Sequence, residues 1–192
     1  PQKDSSSASG PDWNCPPQPV TALTNTKSTV TTAIEALQPK GNTVIPAGLL
    51  WGWRVLSPDA PFTEGKAYDE EERVKAIVLL TDGENAVSGG SNGKNRSVYN
   101  AFGYAQSGHL GNKNGSEAEE ELDSKTLTVC SRIKAKGILI YTIDFQVNQH
   151  TQRLLKGCAT KDDMFFNSTT NDQLASAFQD IAQGLGDLRI AQ

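Results

Sequence analysis

VKAIVLLTDGEN, residues 74–85, decides how this chain is read. The run 74–81 is apolar almost without interruption, the pattern of a strand covered on both faces of a parallel sheet. Thr81-Asp82-Gly83 then ends it. Ligands of open α/β sheets bind beyond the carboxyl ends of the strands, so Asp82 stands where a ligand would be met.

A second apolar run, GILIYTIDF at residues 137–145, repeats the pattern, and a shorter strand is expected over residues 164–167. Between the first two lies Ser116-Glu117-Ala118-Glu119, a capping-box arrangement, followed by apolar positions at Leu122, Val129, Cys130 and Ile133. A helix through Leu154 and Leu155 leads to the third strand. The last helix carries Leu174, Phe178, Ile181, Leu185 and Leu188 along one face. Upstream, Val30, Ile34 and Leu37 mark a helix over residues 26–37, stopped by Pro39 and Gly41. Another starts at Pro46 and runs through Leu49, Leu50 and Trp53 to Ser57-Pro58. Strands alternating with helices predict an α/β fold, a doubly wound and mainly parallel sheet with right-handed crossovers. Three strands are fewer than such a sheet normally holds. Further amino-terminal strands are therefore expected before Pro1, and the chain is read as part of a longer protein.

The 192 residues are 36% hydrophobic and 21% charged, as in ordinary globular proteins. Net charge is −4 with both signs interspersed, which leaves no basic stripe for a nucleic acid. No apolar run approaches the ~20 residues that span a bilayer, and residues 1–10 lack a signal-peptide core. Residues 1–19, rich in Ser, Pro and Gly, read as a linker or loop, leaving residues 20–192 for the domain. Residues 82–115 form a long Gly/Asn/Ser-rich insertion, read either as a recognition surface or as a disordered segment. Cys15, Cys130 and Cys158 include no C-x-x-C pair. Their odd number fits one internal bridge with the third cysteine paired elsewhere, and equally three buried thiols.

Asp82 is suited to a hard cation, because Mg²⁺ takes oxygen ligands and is often held by only one or two carboxylates. The competing reading is a turn, for which Asp-Gly is a common pair. Gly41-Asn42-Thr43 places a hydroxyl on a tight loop before a helix, which alone reads as a cap. Asp144 ends the second run on the same side of the sheet, as a further ligand-side acid or as a loop cap. Trp53 is expected in the core and Arg54 beside an acid. His109 and His150 have no Ser, Cys or acidic partner at a telling spacing, and read as solvated loop residues. With no Gly-x-Ser-x-Gly and no phosphate loop, the chain is read as non-enzymatic.

Together, Thr43 and Asp82 resemble the second and third pieces of the metal-ion-dependent adhesion site of von Willebrand factor type A (VWA) domains. The first piece of that site is an Asp-x-Ser-x-Ser motif. The run GLLWGWRVLSP at residues 48–58, the segment 130–145 with its Ile133-Lys134 and Gly137, the Cys158-Ala159 pair and the ending Asp187-Leu188-Arg189-Ile190 narrow the likeness further. They are similar to the VWA domain of TadG-like proteins, which accompany the bacterial Tad (Flp) pilus assembly machinery. The resemblance covers residues 20–192. It implies a VWA fold and ligand capture through Mg²⁺ held in part by Thr43 and Asp82, with a protein ligand or pilus assembly component as partner. It also implies an extracytoplasmic place, in the periplasm or at the cell surface, and a membrane anchor outside this chain.

One departure is plain. Asp4-Ser5-Ser6-Ser7-Ala8 imitates the missing motif but has Ala8 in place of its second Ser, and no apolar strand precedes it, so the metal site is expected to be incomplete here. Two other functions compete with the adhesion reading: a metal-dependent hydrolase using Asp82 and Glu84, and a structural spacer with a degenerate site. The resemblance, taken with the placement of Cys130 on the helix entering the second strand and Cys158 at the end of the helix leaving it, implies a Cys130–Cys158 disulfide. Such a bridge persists outside the reducing cytoplasm. Cys15 is then left for a partner upstream.

Overall fold

The structure, a computed structural model, describes residues 16–70, 73–87, 97–111 and 115–190, the last three without their side chains. Asp4 and Cys15 lie outside the described residues, as do residues 88–96 and 112–114 of the insertion. Two compact units are present, Pro1–Ala47 with Asn85–Ser124 and Gly48–Glu84 with Lys125–Gln192.

The second unit is built on three parallel strands, β1 (Ala76–Thr81), β2 (Leu139–Phe145) and β3 (Phe165–Ser168), in the order β1-β2-β3. Five of the seven β2 residues are buried, as the unbroken apolar run demands of a strand flanked on both edges and both faces. On one face Tyr141 and Ile143 pack with Met164 and with Ala177 and Ile181 of α5 (Asn171–Ile190). On the other, the Thr142 hydroxyl donates to the Leu155 carbonyl of α4 (Gln149–Cys158) at 3.1 Å. Successive strand residues point to opposite faces, so helices cover the sheet from both sides and the α/β class is as expected.

Two expectations about apolar faces fail. β1 was expected to be covered on both faces, yet Val78 and Leu80 are 38% and 44% exposed. Residue alternation puts these two on the α5 side, where α5 touches β2 and β3, and among the described residues no strand pairs along the outer edge of β1. The α5 stripe also differs. Phe178 is 44% exposed, and the smaller Ala177 meets the sheet with Leu174, Ile181 and Leu185.

Cys130, on α3 (Gly115–Lys134), and Cys158, at the end of α4, are fully buried and joined by a disulfide with a Cα separation of 5.3 Å. The bridge clips together two helices that flank β2 in sequence.

In the first unit, α1 (Lys27–Glu35) buries no residue, and the stripe of Val30, Ile34 and Leu37 is exposed. Its core lies elsewhere. Val87, Ala105 and Leu110 pack with Ala118 and Leu122 of α3, flanked by Val44 and Phe102. Apolar residues of the described part of the insertion thus pack against α3 and Val44. A 3₁₀ turn at Ala105–Ser107 is fixed by the Ala105 N–H donating to the Ser97 hydroxyl at 2.8 Å. α2 (Ile45–Leu56) contributes residues to both units, as does α3. No helix of the described residues is long and apolar enough to cross a membrane.

Two outcomes follow from this packing. The bridge closes a 28-residue loop. Replacing both cysteines by Ala should therefore lower unfolding free energy by about 3.5 kcal/mol in the chain-entropy account, read from urea titration of oxidised protein. The exposed apolar edge of β1 should drive self-association. Leu80→Lys should raise the monomer fraction in sedimentation velocity, and an unchanged distribution would contradict that role.

Candidate cation site

Asp82 and its surroundings belong to the second unit. The Thr81 hydroxyl donates to the Gly83 carbonyl at 2.8 Å and accepts from the Gly83 N–H at 3.2 Å, closing a tight turn at the end of β1. The turn leaves Asp82 exposed, and no hydrogen bond engages its carboxylate among the described residues. Glu84 is turned to a different task. It accepts from Asn148 Nδ2 at 2.7 Å, while Asn148 Oδ1 accepts from the Thr151 N–H at 2.9 Å and so caps the amino end of α4.

Asp144 lies beside Thr81 in the parallel register. It is fully buried, its Oδ1 accepting from the Ser168 N–H at 3.3 Å and its Oδ2 meeting no partner. That hydrogen bond ties the end of β2 to the end of β3. Burial raises its pKa above the ordinary carboxylate range, and the Ser168 N–H opposes the rise only in part.

Thr43 belongs to the first unit, where two interactions hold its loop. The Thr43 carbonyl accepts from the Ala86 N–H at 2.9 Å, and the next turn begins with the Ile45 N–H donating to Asn85 Oδ1 at 2.8 Å. Asn85 is buried and in turn donates from Nδ2 to Asp123 Oδ1 on α3 at 2.8 Å. Glu119, in the second turn of α3, accepts from the Val87 N–H at 3.0 Å. Asn85 therefore serves the first orphan donor of α2. Sequence reasoning assigned it no role. The available signal was an amide side chain directly after the Asp-Gly turn, able to donate and accept at once.

Thr43 and Asp82 thus fall in different units, each shaped by its own contacts. Among the described residues no three His, Cys, Asp or Glu side chains gather into a metal cluster. The exposed carboxylate of Asp82 fits a hard cation that keeps most of its waters and does not fit a transition metal that wants nitrogen or sulfur.

Around α2, Trp53 donates from Nε1 to the Tyr68 hydroxyl at 3.0 Å and is half-buried. Arg54, expected beside an acid, instead lies over the Trp51 ring at 5.0 Å from its centroid, and Trp51 meets Phe62 edge-on at 6.4 Å. The planar guanidinium gains from an aromatic face what an ammonium would seek from a carboxylate. His109 is exposed in a loop, whereas the exposed His150 lies in α4 and not in a loop.

No protein-family profile matches the sequence, and no curated protein matches it. Among solved structures, the chain is similar to the pilus adhesin SpaC from Lactobacillus rhamnosus GG, with 15% identity and a TM-score of 0.56. The likeness covers 86% of this chain and 22% of that one, so the chain spans about a fifth of the adhesin's length. At this identity the likeness is one of fold.

A pH profile tests the Asp144 environment. A carboxyl whose folded-state pKa is raised favours its neutral form in the fold, so its contribution to stability is complete below the unfolded pKa of about 3.9 and is lost as pH rises through the folded value. Unfolding free energy should fall over that window, and Asp144→Asn should flatten that part of the profile in urea titrations.

Proposed function

We propose that this chain is a VWA-type binding domain of a TadG-like, Tad pilus-associated protein, acting outside the cytoplasm without catalysing a reaction. The observation that carries the reading is an exposed, unpaired Asp82 at the carboxyl end of a parallel strand, in a fold shared with a solved pilus adhesin. The open α/β sheet presents ligand-binding groups at that end. The buried Cys130–Cys158 bridge supports an oxidising compartment.

Asp82 and Thr43 are the residues that would hold Mg²⁺. When bound, the ion supplies an electrophilic open position for an oxygen of a protein partner. Asp82 contributes the anionic ligand, and the Thr81–Gly83 turn fixes where its carboxylate emerges. Thr43 contributes a neutral hydroxyl from a loop held by Ala86 and Asn85. With Asp82 as its one anionic donor the ion would be held weakly, since most of its shell would be water.

Asp82→Ala removes the anionic oxygen and should abolish Mg²⁺ binding by the intact protein in calorimetry, while Thr43→Ala should weaken it. Unchanged Mg²⁺ affinity in Asp82→Ala would sink the assignment.

A further inference from the structure

Between β2 and α4 the fold buries two side-chain oxygens that it leaves unsatisfied. Asp144 is 0% exposed and Thr151, in the first turn of α4, is 1% exposed, and neither Asp144 Oδ2 nor Thr151 Oγ1 has a hydrogen-bond partner. Leaving such groups dry and unpaired is costly, most of all for an ionised carboxylate.

Register brings the two to the same level. The Thr142 hydroxyl bonds the Leu155 carbonyl, and after α4 the chain returns to the start of β2, where the Thr160 N–H donates to the Ile140 carbonyl at 2.9 Å. α4 therefore runs antiparallel to β2. Two residues from Thr142 to Asp144 advance about 6.6 Å along the strand on one face. Four residues from Leu155 back to Thr151 advance about 6 Å along the helix on one face. Asp144 thus faces Thr151 across the β2–α4 packing, and no hydrogen bond joins them. Ser168 Oγ, also without a partner, falls by alternation on the α5 side and takes no part.

Asp82 and Glu84 lie at the same end of the sheet, His150 and Arg153 flank Thr151 at exposed positions of α4, and neither of the ion pairs Arg73–Glu70 and Lys156–Asp162 involves Asp144. Asn148, which caps Thr151 through its Oδ1, donates from Nδ2 to the exposed Glu84.

The geometry points to a monovalent cation site, with Na⁺ held by Asp144 Oδ2 and Thr151 Oγ1 and completed by water or main-chain carbonyls. One buried negative charge is balanced by one positive charge, whereas Mg²⁺ gives up its water shell reluctantly and is ill suited to a closed pocket. The site is separate from Asp82.

The test is thermal unfolding of the intact protein at neutral pH in NaCl against choline chloride at equal ionic strength, choline being too large to enter. The wild type should show a saturable rise in Tm with Na⁺, about 5–10 °C at a hundredfold excess over Kd. Asp144→Asn and Thr151→Val should be flat, and Asp82→Ala should retain the rise, which separates this site from the Mg²⁺ reading. Sodium NMR line broadening lost in the same two variants would support direct binding. Equal wild-type Tm in the two salts, as expected if a water bridges the two oxygens, would overturn the proposal. So would a Na⁺ response that survives in both Asp144→Asn and Thr151→Val.

Discussion

The burial of β2 is the constraint on which the rest of the second unit depends. A strand with Ile140, Tyr141, Thr142, Ile143 and Asp144 all removed from water must pair both edges and cover both faces. β1 and β3 provide the edges and α4 and α5 the faces. The disulfide adds a covalent limit at the same place, because Cys130 and Cys158 sit on the helices that precede and follow β2. Loosening α4 would uncover Thr142 and Asp144 together, so the polar end of the strand is tied to the apolar middle.

That polar end is where the strand stops being ordinary core. Thr81 and Ser168 end β1 and β3 and Asp144 is the penultimate residue of β2, and all three oxygen-bearing side chains are buried. Thr81 consumes its own hydroxyl in a turn, which frees Asp82 to face solvent. Asp144 is left half-satisfied beneath it. One end of one sheet therefore presents an exposed carboxylate and hides a second.

Much of this was legible in the residues. The runs 74–81 and 137–145 placed β1 and β2 to within one or two residues, because a buried parallel strand has few other ways to be written. Capping-box and Leu-spacing signals found α3 and α5 for the same kind of reason. Periodicity does not reveal which strand lies at an edge, so the exposure of Val78 and Leu80 was missed. It also cannot weigh Ala177 against Phe178 as the residue that lets α5 approach the sheet, since spacing allows either. At the site, Asp82 was found from its position after a strand. Asn85 and Thr151 were not, because their roles arise from contacts with residues distant in sequence, Ile45 and Asp123 for one and the β2 face for the other. Arg54 was misplaced because stacking on Trp51 leaves no charge-pair signature in sequence.

The account stands on Asp82 as the ligand-facing group of a binding domain. Crystals of the intact protein soaked in manganese, as a stand-in for magnesium, test it most directly through anomalous scattering. The account predicts a peak within coordination distance of an Asp82 carboxylate oxygen. A fully occupied peak elsewhere with Asp82 left free, or no peak at saturating manganese, would contradict it.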